Sequence, residues 1–230
     1  MSLARQHFQR VTAAQAAASA SPGEPIKANA YELQLIRLAD AKRALKQVQS
    51  IERKAEVKRR VLPEFAPWIR GALEAGRGGQ DDVLMTAMVW LIDVGDFPAA
   101  LDIAAYALQH KLTLPDQYKR DVATLVAEEI AEQSTAAIAA GKTADLASLD
   151  RALLLTSECD MPDEVRAKLH KALGQAFQVQ VDGGDTGVPD QLAAKEALAH
   201  FKRALELHDR AGVKKDIERL ERVIKPAPAT

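Results

Sequence analysis

Residues 29–62, NAYELQLIRLADAKRALKQVQSIERKAEVKRRVL, contain no glycine or proline and decide the fold. Apolar side chains recur along this stretch in steps of three and four, the period of an α-helix. They are Tyr31, Leu35, Leu38, Ala41, Leu45, Val48, Ile51 and Ala55. Because Asn29 is also a favourable N-cap, the pattern predicts one continuous helix over 31–62, roughly 45 Å long at 1.5 Å per residue.

The rest of the chain indicates an all-α protein. Its 230 residues include only five Phe, three Tyr and two Trp, with 12 Gly and 10 Pro, too few strand and turn residues for a β-sandwich. Pro63 and Pro67 are expected to end the long helix. Further helices are expected at 83–94, capped by Asp81 or Asp82 and closed by Gly95-Asp96, and at 98–110, 119–140, 144–157, 160–179, 190–208 and 213–224.

These elements predict four regions along the chain. Residues 1–30 form a flexible N-terminal segment, 31–62 the long basic helix, 63–225 an acidic α-helical domain, and 226–230 a tail. Two helix pairs, around Trp90 and around Phe201, have tetratricopeptide-like spacing of small and aromatic residues. Two degenerate copies favour simple helix-pair packing over a peptide-binding repeat array.

The charges are unevenly distributed. Residues 1–62 hold 12 Lys and Arg against 5 Asp and Glu, a net charge of +7, whereas the remainder holds 19 against 27, a net charge of −8. A helix with cations along its exposed face suits phosphates, although such a run can also be an ordinary solvated face. The candidate DNA-binding residues are Arg37, Lys42, Arg43, Lys46, Arg53, Lys54, Lys58, Arg59 and Arg60.

The apolar stripe of this helix is narrow, like a coiled-coil seam. A helix so long needs a partner to cover the stripe, either the same chain folding back or another subunit. The candidate oligomerisation residues are Leu35, Leu38, Leu45, Val48 and Ile51.

Several other classes of protein are not indicated. No apolar run approaches the ~18 residues of a membrane span, no signal-peptide pattern opens the chain, and the single Cys159 cannot form an intramolecular disulfide. The five histidines lack metal-ligand spacing, and no glycine-rich phosphate loop occurs. Asp81 and Asp82 fit a helix cap better than a nuclease site. We therefore expect no catalytic residue, metal or cofactor.

Several strings resemble a known family. They are QDDVLMT at 80–86 with Trp90 and Gly95-Asp96, AAYAL at 104–108, MPDEVRAKLHK at 161–171 and AGVKKDIERLER at 211–222. Together they resemble the small terminase subunit of peduovirus-type tailed phages, in register from about 31 to 225. The resemblance does not include a recognisable N-terminal helix-turn-helix, a motif that small terminases often carry.

The resemblance implies a protein of the host cytoplasm that recognises double-stranded phage DNA at the packaging site. It also implies a homo-oligomer, possibly a ring, that passes the DNA to a large terminase subunit carrying the ATPase and the nuclease. Members of this family are also described as the terminase endonuclease subunit, and we interpret that label as cohesive-end cutting by the holoenzyme. The alternative hypothesis is a helical-repeat scaffold that binds only protein partners.

Overall fold

The computed structural model describes residues 2–182 and 190–224, and within them it contains ten α-helices and no β-strand. The prediction of an all-α protein is confirmed. The helices are α1 (Leu3–Ala18), α2 (Asn29–Lys46), α3 (Ile51–Ala75), α4 (Asp82–Val94), α5 (Phe97–His110), α6 (Val122–Ala139), α7 (Leu146–Thr156), α8 (Asp163–Asp182), α9 (Gln191–Leu207) and α10 (Lys214–Ile224). The loop expected before Asp190 and the tail 226–230 lie outside the described residues.

The chain divides into two compact units, Met1–Val122 and Ala123–Thr230. The boundary that the sequence suggested near residue 62 therefore falls inside α3, within the first unit. The separate functions assigned to the four predicted regions stay predictions.

The prediction of one continuous helix over 31–62 is wrong. The chain leaves the helix after Lys46 and starts a new one at Ile51, where the Ser50 hydroxyl accepts a hydrogen bond from the backbone N–H of Arg53. Side-chain capping of this kind stabilises a helix start. The break needs no glycine or proline, so helical periodicity alone did not reveal it.

Pro63 and Pro67 do not end the helix either, since α3 continues through both to Ala75. Proline in a helix interior removes a backbone hydrogen bond and is costly. Between and after these prolines α3 buries Phe65, Trp68 and Ala72 in the core of the first unit. This burial compensates for the cost of the two prolines, and a rule based on local sequence alone does not include it.

The N-terminal segment is also better ordered than expected, because α1 packs along α3. A Cβ atom added to Gly71 would lie 2.2 Å from the carbonyl oxygen of Arg10 and 2.7 Å from the Cβ of Ala13, so only glycine permits this approach. Ala13 and Ala17 are buried. The sequence analysis did not predict this contact, because small side chains gain their contacts through close approach of the two helices.

In the first unit α4 is the central helix, with every residue from Val83 to Ile92 buried. As expected, Asp81 caps α4 and Gly95 ends it in the left-handed conformation at φ 83°. Asp96, expected only in the closing turn, caps α5, which begins at Phe97. In the second unit α8 packs on α9, where a Cβ on Gly174 would lie 2.6 Å from the ring of Phe201. The tetratricopeptide-like pairing is not confirmed.

Candidate nucleic-acid interface

The nine predicted DNA-binding cations lie on both sides of the connection between α2 and α3. Arg37, Lys42, Arg43 and Lys46 belong to α2, and Arg53, Lys54, Lys58, Arg59 and Arg60 to α3. The last turn of α2 contains Arg43 and Lys46, and the first turns of α3 contain Arg53. We call this segment, Lys42 to Arg60, the α2–α3 corner. The cations therefore flank a bend rather than lining one straight helix.

The first ten residues of α3 lie at the surface of the first unit. From Ile51 to Arg60 no residue is buried, and Ile51 is 85% exposed; the first buried residue of α3 is Leu62. Ten residues correspond to about 15 Å of helix. Arg53, Arg59 and Arg60 are exposed along this length, with Glu52 and Glu56 as its acidic residues.

Three of the nine cations are held by groups of the same unit. Lys58 forms an ion pair with Asp93 at the end of α4, and the guanidinium of Arg59 donates to the carbonyl of Val94 at 3.4 Å. Arg43 pairs with Asp40 one turn earlier in α2. The contacts of Lys58 and Arg59 join the first part of α3 to the end of α4. The sequence did not reveal them because Asp93 and Val94 are 35 residues further along the chain.

Three more cations are partly covered. Arg37 and Lys54 are half-buried, and Lys42 is half-buried with a pKa lowered by burial. The side chains best placed to meet a long polyanion are thus Lys46, Arg53 and Arg60, all exposed.

The predicted oligomerisation stripe is split between core and surface. Leu38 and Leu45 are buried within their own unit, Leu35 and Val48 are half-buried, and Ile51 is exposed. Tyr31, Gln34 and Ala41 share the buried face of α2. Most of this stripe therefore covers the chain's own core, and a subunit contact through all five residues stays a prediction.

Comparison with known proteins gives the family. A protein-family model described as "Phage small terminase subunit" matches residues 35–164 of this chain. The protein named terminase, endonuclease subunit, of Escherichia phage P2 is 46% identical over 226 residues, which cover 98% of this chain and 86% of that protein. The chain belongs to the phage small terminase subunit family.

A second relative in the family is more distant. The probable terminase, endonuclease subunit, of Haemophilus phage HP1 (strain HP1c1) is 27% identical over 195 residues, covering 83% of this chain and 69% of that protein. No solved structure gives a significant match. Membership in the family implies a role in phage genome packaging. No helix among the described residues is long and apolar enough to cross a membrane.

The carboxylates that could suggest nuclease chemistry have structural partners. Asp81 is 1% exposed; its carboxylate accepts from the indole N–H of Trp68 at 2.8 Å and from the backbone N–H of Leu84 at 2.9 Å. Burial raises the pKa of Asp81 to about 6, against these hydrogen bonds, which lower it. The backbone N–H of Asp82 donates to the hydroxyl of Tyr31. The prediction that Asp81 caps a helix is confirmed.

The histidines form one close pair, in the second unit. The Nδ1 atoms of His170 on α8 and His200 on α9 lie 3.0 Å apart, and Phe177 stacks on His200. Burial lowers the pKa of both rings, that of His170 to about 4 with a further contribution from the neighbouring His200. No cluster of three or more metal-ligating side chains occurs in the parts of the chain that the structure describes. The pair therefore acts as a packing contact between neutral rings.

Proposed function

We propose that this chain is the DNA-recognition subunit of a phage terminase. It binds double-stranded phage DNA at the packaging site and delivers it to the large subunit, which supplies the ATPase and the nuclease. It acts in the host cytoplasm as a homo-oligomer. Its membership in the small terminase family supports the packaging role, and the α2–α3 corner supports the DNA-binding part.

The observation that carries the proposal is the exposed cationic face at the start of α3. The major groove of B-DNA is about 12 Å wide and admits an α-helix. The first ten residues of α3, about 15 Å of helix, contain no buried residue, and Arg53 and Arg60 are exposed there. Arg53 and Arg60 would face the phosphates or base edges, while Arg43 and Lys46 at the end of α2 would contact the flanking backbone. Phosphate contacts supply most of the affinity and its salt dependence.

A charge-matched pair of variants tests this assignment. The corner variant replaces Arg43, Lys46, Arg53 and Arg60 by Gln. The control replaces four exposed cations of the second unit, Lys195, Arg210, Lys214 and Lys215, by Gln. Both variants lose four positive charges, so an effect of net charge alone would be equal in the two.

Binding to a packaging-site duplex is then measured as a function of salt. Each lost phosphate contact removes about one unit from the slope of log K against log salt concentration. We expect the corner variant to bind the duplex more weakly and with a shallower salt slope. The control should keep the slope of the wild type. Equal slopes for wild type and corner variant would refute the assignment, and no salt-dependent binding by wild type would favour the protein-only scaffold.

The acidic remainder of the chain is proposed to bind the large subunit. Residues 63–230 carry the net charge of −8, which keeps this part from competing for DNA. The corner variant is expected to bind DNA weakly. If it still pulls down the large subunit, the two proteins contact each other directly and are not merely bound to the same DNA. Loss of the pull-down in that variant would mean that the contact depends on the corner or on DNA.

A further inference from the structure

A small cavity lies between α1 and α2 in the first unit, and we call it the α1–α2 cavity. Its volume is about 180 Å³, the space of roughly six water molecules at about 30 Å³ each. Gln9 of α1, Gln34 of α2 and Trp68 of α3 form part of its wall. This volume is too small for a helix about 10 Å across, but it is large enough for one planar ring system.

Two residues of this wall carry hydrogen-bond acceptors that have no partner. Gln34 is 5% exposed, and neither its Oε1 atom nor that of Gln9 accepts a hydrogen bond from the described part of the chain. Three other buried side-chain oxygens among the described residues share this condition, and none of them belongs to a residue that lines the cavity. Because buried acceptors are normally satisfied, two unpaired amide oxygens in one wall point to a ligand that brings hydrogen-bond donors.

The α1–α2 cavity also carries positive charge that the surrounding residues do not neutralise. Arg5 of α1 and Arg37 of α2 line it, and its lining contains no acidic residue. Neither guanidinium has an ion-pair partner within residues 2–182 and 190–224, and α1 has no acidic residue at all. A ligand with an anionic group would supply the missing counter-charge.

The apolar part of the lining offers a surface to a flat ring. Phe8 lines the cavity and is 70% exposed, with Leu33 beside it at the surface and Trp68 deeper in the wall. Nucleic-acid bases stack on exposed aromatic side chains of this kind. The ligand that fits these side chains therefore combines a planar ring, hydrogen-bond donors and a negative charge.

We infer that the α1–α2 cavity binds a single nucleotide whose base carries an amino group. The ring would stack on Phe8, the phosphate would pair with the two guanidinium groups, and the amine would donate to the two amide oxygens. Adenine, cytosine and guanine have such an amine, whereas thymine lacks one. The terminal torsion of a glutamine side chain has a broad energy well, so each amide can rotate to meet the base.

The nucleotide is either free in solution or an unpaired nucleotide of a DNA strand. The second case rests on the proposed DNA-binding function. It is geometrically accessible, because Arg37 is six residues, about 9 Å, along α2 from Arg43 of the α2–α3 corner. A strand that leaves a duplex at the corner would pass close to the cavity.

Glutamine-to-leucine variants test the inference. Gln34→Leu removes an amide at nearly constant side-chain size, and Gln9→Leu, at a half-buried position, serves if Gln34→Leu loses its helical circular dichroism. The matched control is Gln175→Leu, because Gln175 is a half-buried glutamine of the second unit whose Oε1 also lacks a partner. Replacing an unpaired buried amide by an apolar group of similar shape is nearly neutral for stability, so we expect all three variants to fold.

Fluorescence anisotropy of short labelled single strands then measures binding. We expect the wild type to bind adenine or cytosine strands about tenfold more tightly than thymine strands, a typical discrimination for one good base contact. Gln34→Leu and Gln9→Leu should lower this affinity to the thymine level, and Gln175→Leu should keep it. Binding to a packaging-site duplex should be the same in all four proteins.

Competition with deoxyadenosine monophosphate identifies the source of the nucleotide. Displacement of the adenine strand, with quenching of tryptophan emission through Trp68, would assign the cavity to a free nucleotide. Persistent strand binding at a large excess of the mononucleotide would assign it to a nucleotide of a strand. Both results support the inference, because each requires the same base and phosphate contacts.

The remaining outcomes overturn the inference or separate it from the proposed function. Equal affinity of the wild type for adenine and thymine strands, or equal losses in Gln34→Leu and Gln175→Leu, would overturn it. So would a cavity that binds neither a strand nor the mononucleotide and holds only water. Salt-dependent duplex binding without base preference would keep the proposed function and remove the nucleotide site, whereas amide-dependent strand binding without duplex binding would do the reverse.

Discussion

Replacing Leu38 by Ala distinguishes a core residue from a subunit contact. Leu38 is 4% exposed on the buried face of α2. Truncating a buried leucine removes its transfer free energy and leaves a cavity, together about 2–5 kcal/mol. With a urea m-value of about 2 kcal/mol/M, a loss of about 3 kcal/mol lowers the unfolding midpoint by about 1.5 M.

Intrinsic fluorescence is a suitable assay for this variant. Both tryptophans of the chain, Trp68 and Trp90, are in the first unit, so their emission follows the unfolding of the unit that contains Leu38. The control is Ile51→Ala, at a position 85% exposed, where a surface substitution should change the unfolding free energy by less than about 0.5 kcal/mol.

Protein concentration decides between the two explanations. A core residue gives a midpoint shift that is the same at every concentration, whereas a residue of a subunit contact makes stability depend on concentration. A Leu38→Ala chain with an unchanged midpoint and a reduced oligomeric mass would show that α2 is a seam between subunits, and would refute the placement of Leu38 in the core.

Three further predictions concern other parts of the chain. Gly71→Ala should destabilise the first unit by about 1–3 kcal/mol through overpacking, because the added methyl group would clash with the backbone of α1. Urea unfolding measures this loss, and a variant made more stable by the higher helix propensity of alanine would contradict the close crossing of α1 and α3. Lowering the pH should destabilise the second unit, because burial holds the pKa values of His170 and His200 below the usual histidine value of about 6.5 in the folded state, and stability is lost as the pH falls from about 6.5 towards 4. His170→Gln should reduce the loss of stability between pH 7 and 5, measured by urea unfolding followed by circular dichroism, and an equal loss in both proteins would count against the prediction. The purified chain should give no Mg²⁺-dependent cleavage of a packaging-site duplex until the large subunit is added; cleavage by the chain alone that Asp81→Asn abolishes would assign the nuclease to this subunit.

The sequence predicted best where local signals and tertiary packing agree. Asp81 caps α4, and Gly95 ends it with a positive φ that suits glycine, both as predicted. Asp96, predicted only in the closing turn, caps α5, so that helix begins one residue before the expected position 98. The charge asymmetry likewise indicated which part of the chain to examine for a polyanion interface.

The sequence predicted worst where tertiary packing overrides the local rules for helix-breaking residues. The break after Lys46 has no helix-breaking residue, and Pro63 and Pro67 stand inside a helix. The break after Lys46 and the continuation of α3 through its prolines both depend on which side chains α3 buries. That burial depends on residues distant in the sequence that pack against α3. The same is true of α1, whose packing depends on Gly71 in α3, far along the chain. It is also true of Lys58, which Asp93 holds in an ion pair and so removes from the candidate phosphate-binding residues.

The continuity of α3 has a mechanical consequence. This single 25-residue helix begins in the exposed cationic end and finishes in the core beneath α1, so a force on the exposed end is transmitted to the core without an intervening loop. The ion pair of Lys58 with Asp93 clamps the helix at its exit. Behind the clamp, Pro63 and Pro67 cannot donate to the carbonyls of Arg59 and Pro63, but the buried side chains of Leu62 and Phe65 hold this turn against the core. The cationic end can therefore move relative to the rest of the first unit only when the ion pair of Lys58 with Asp93 opens.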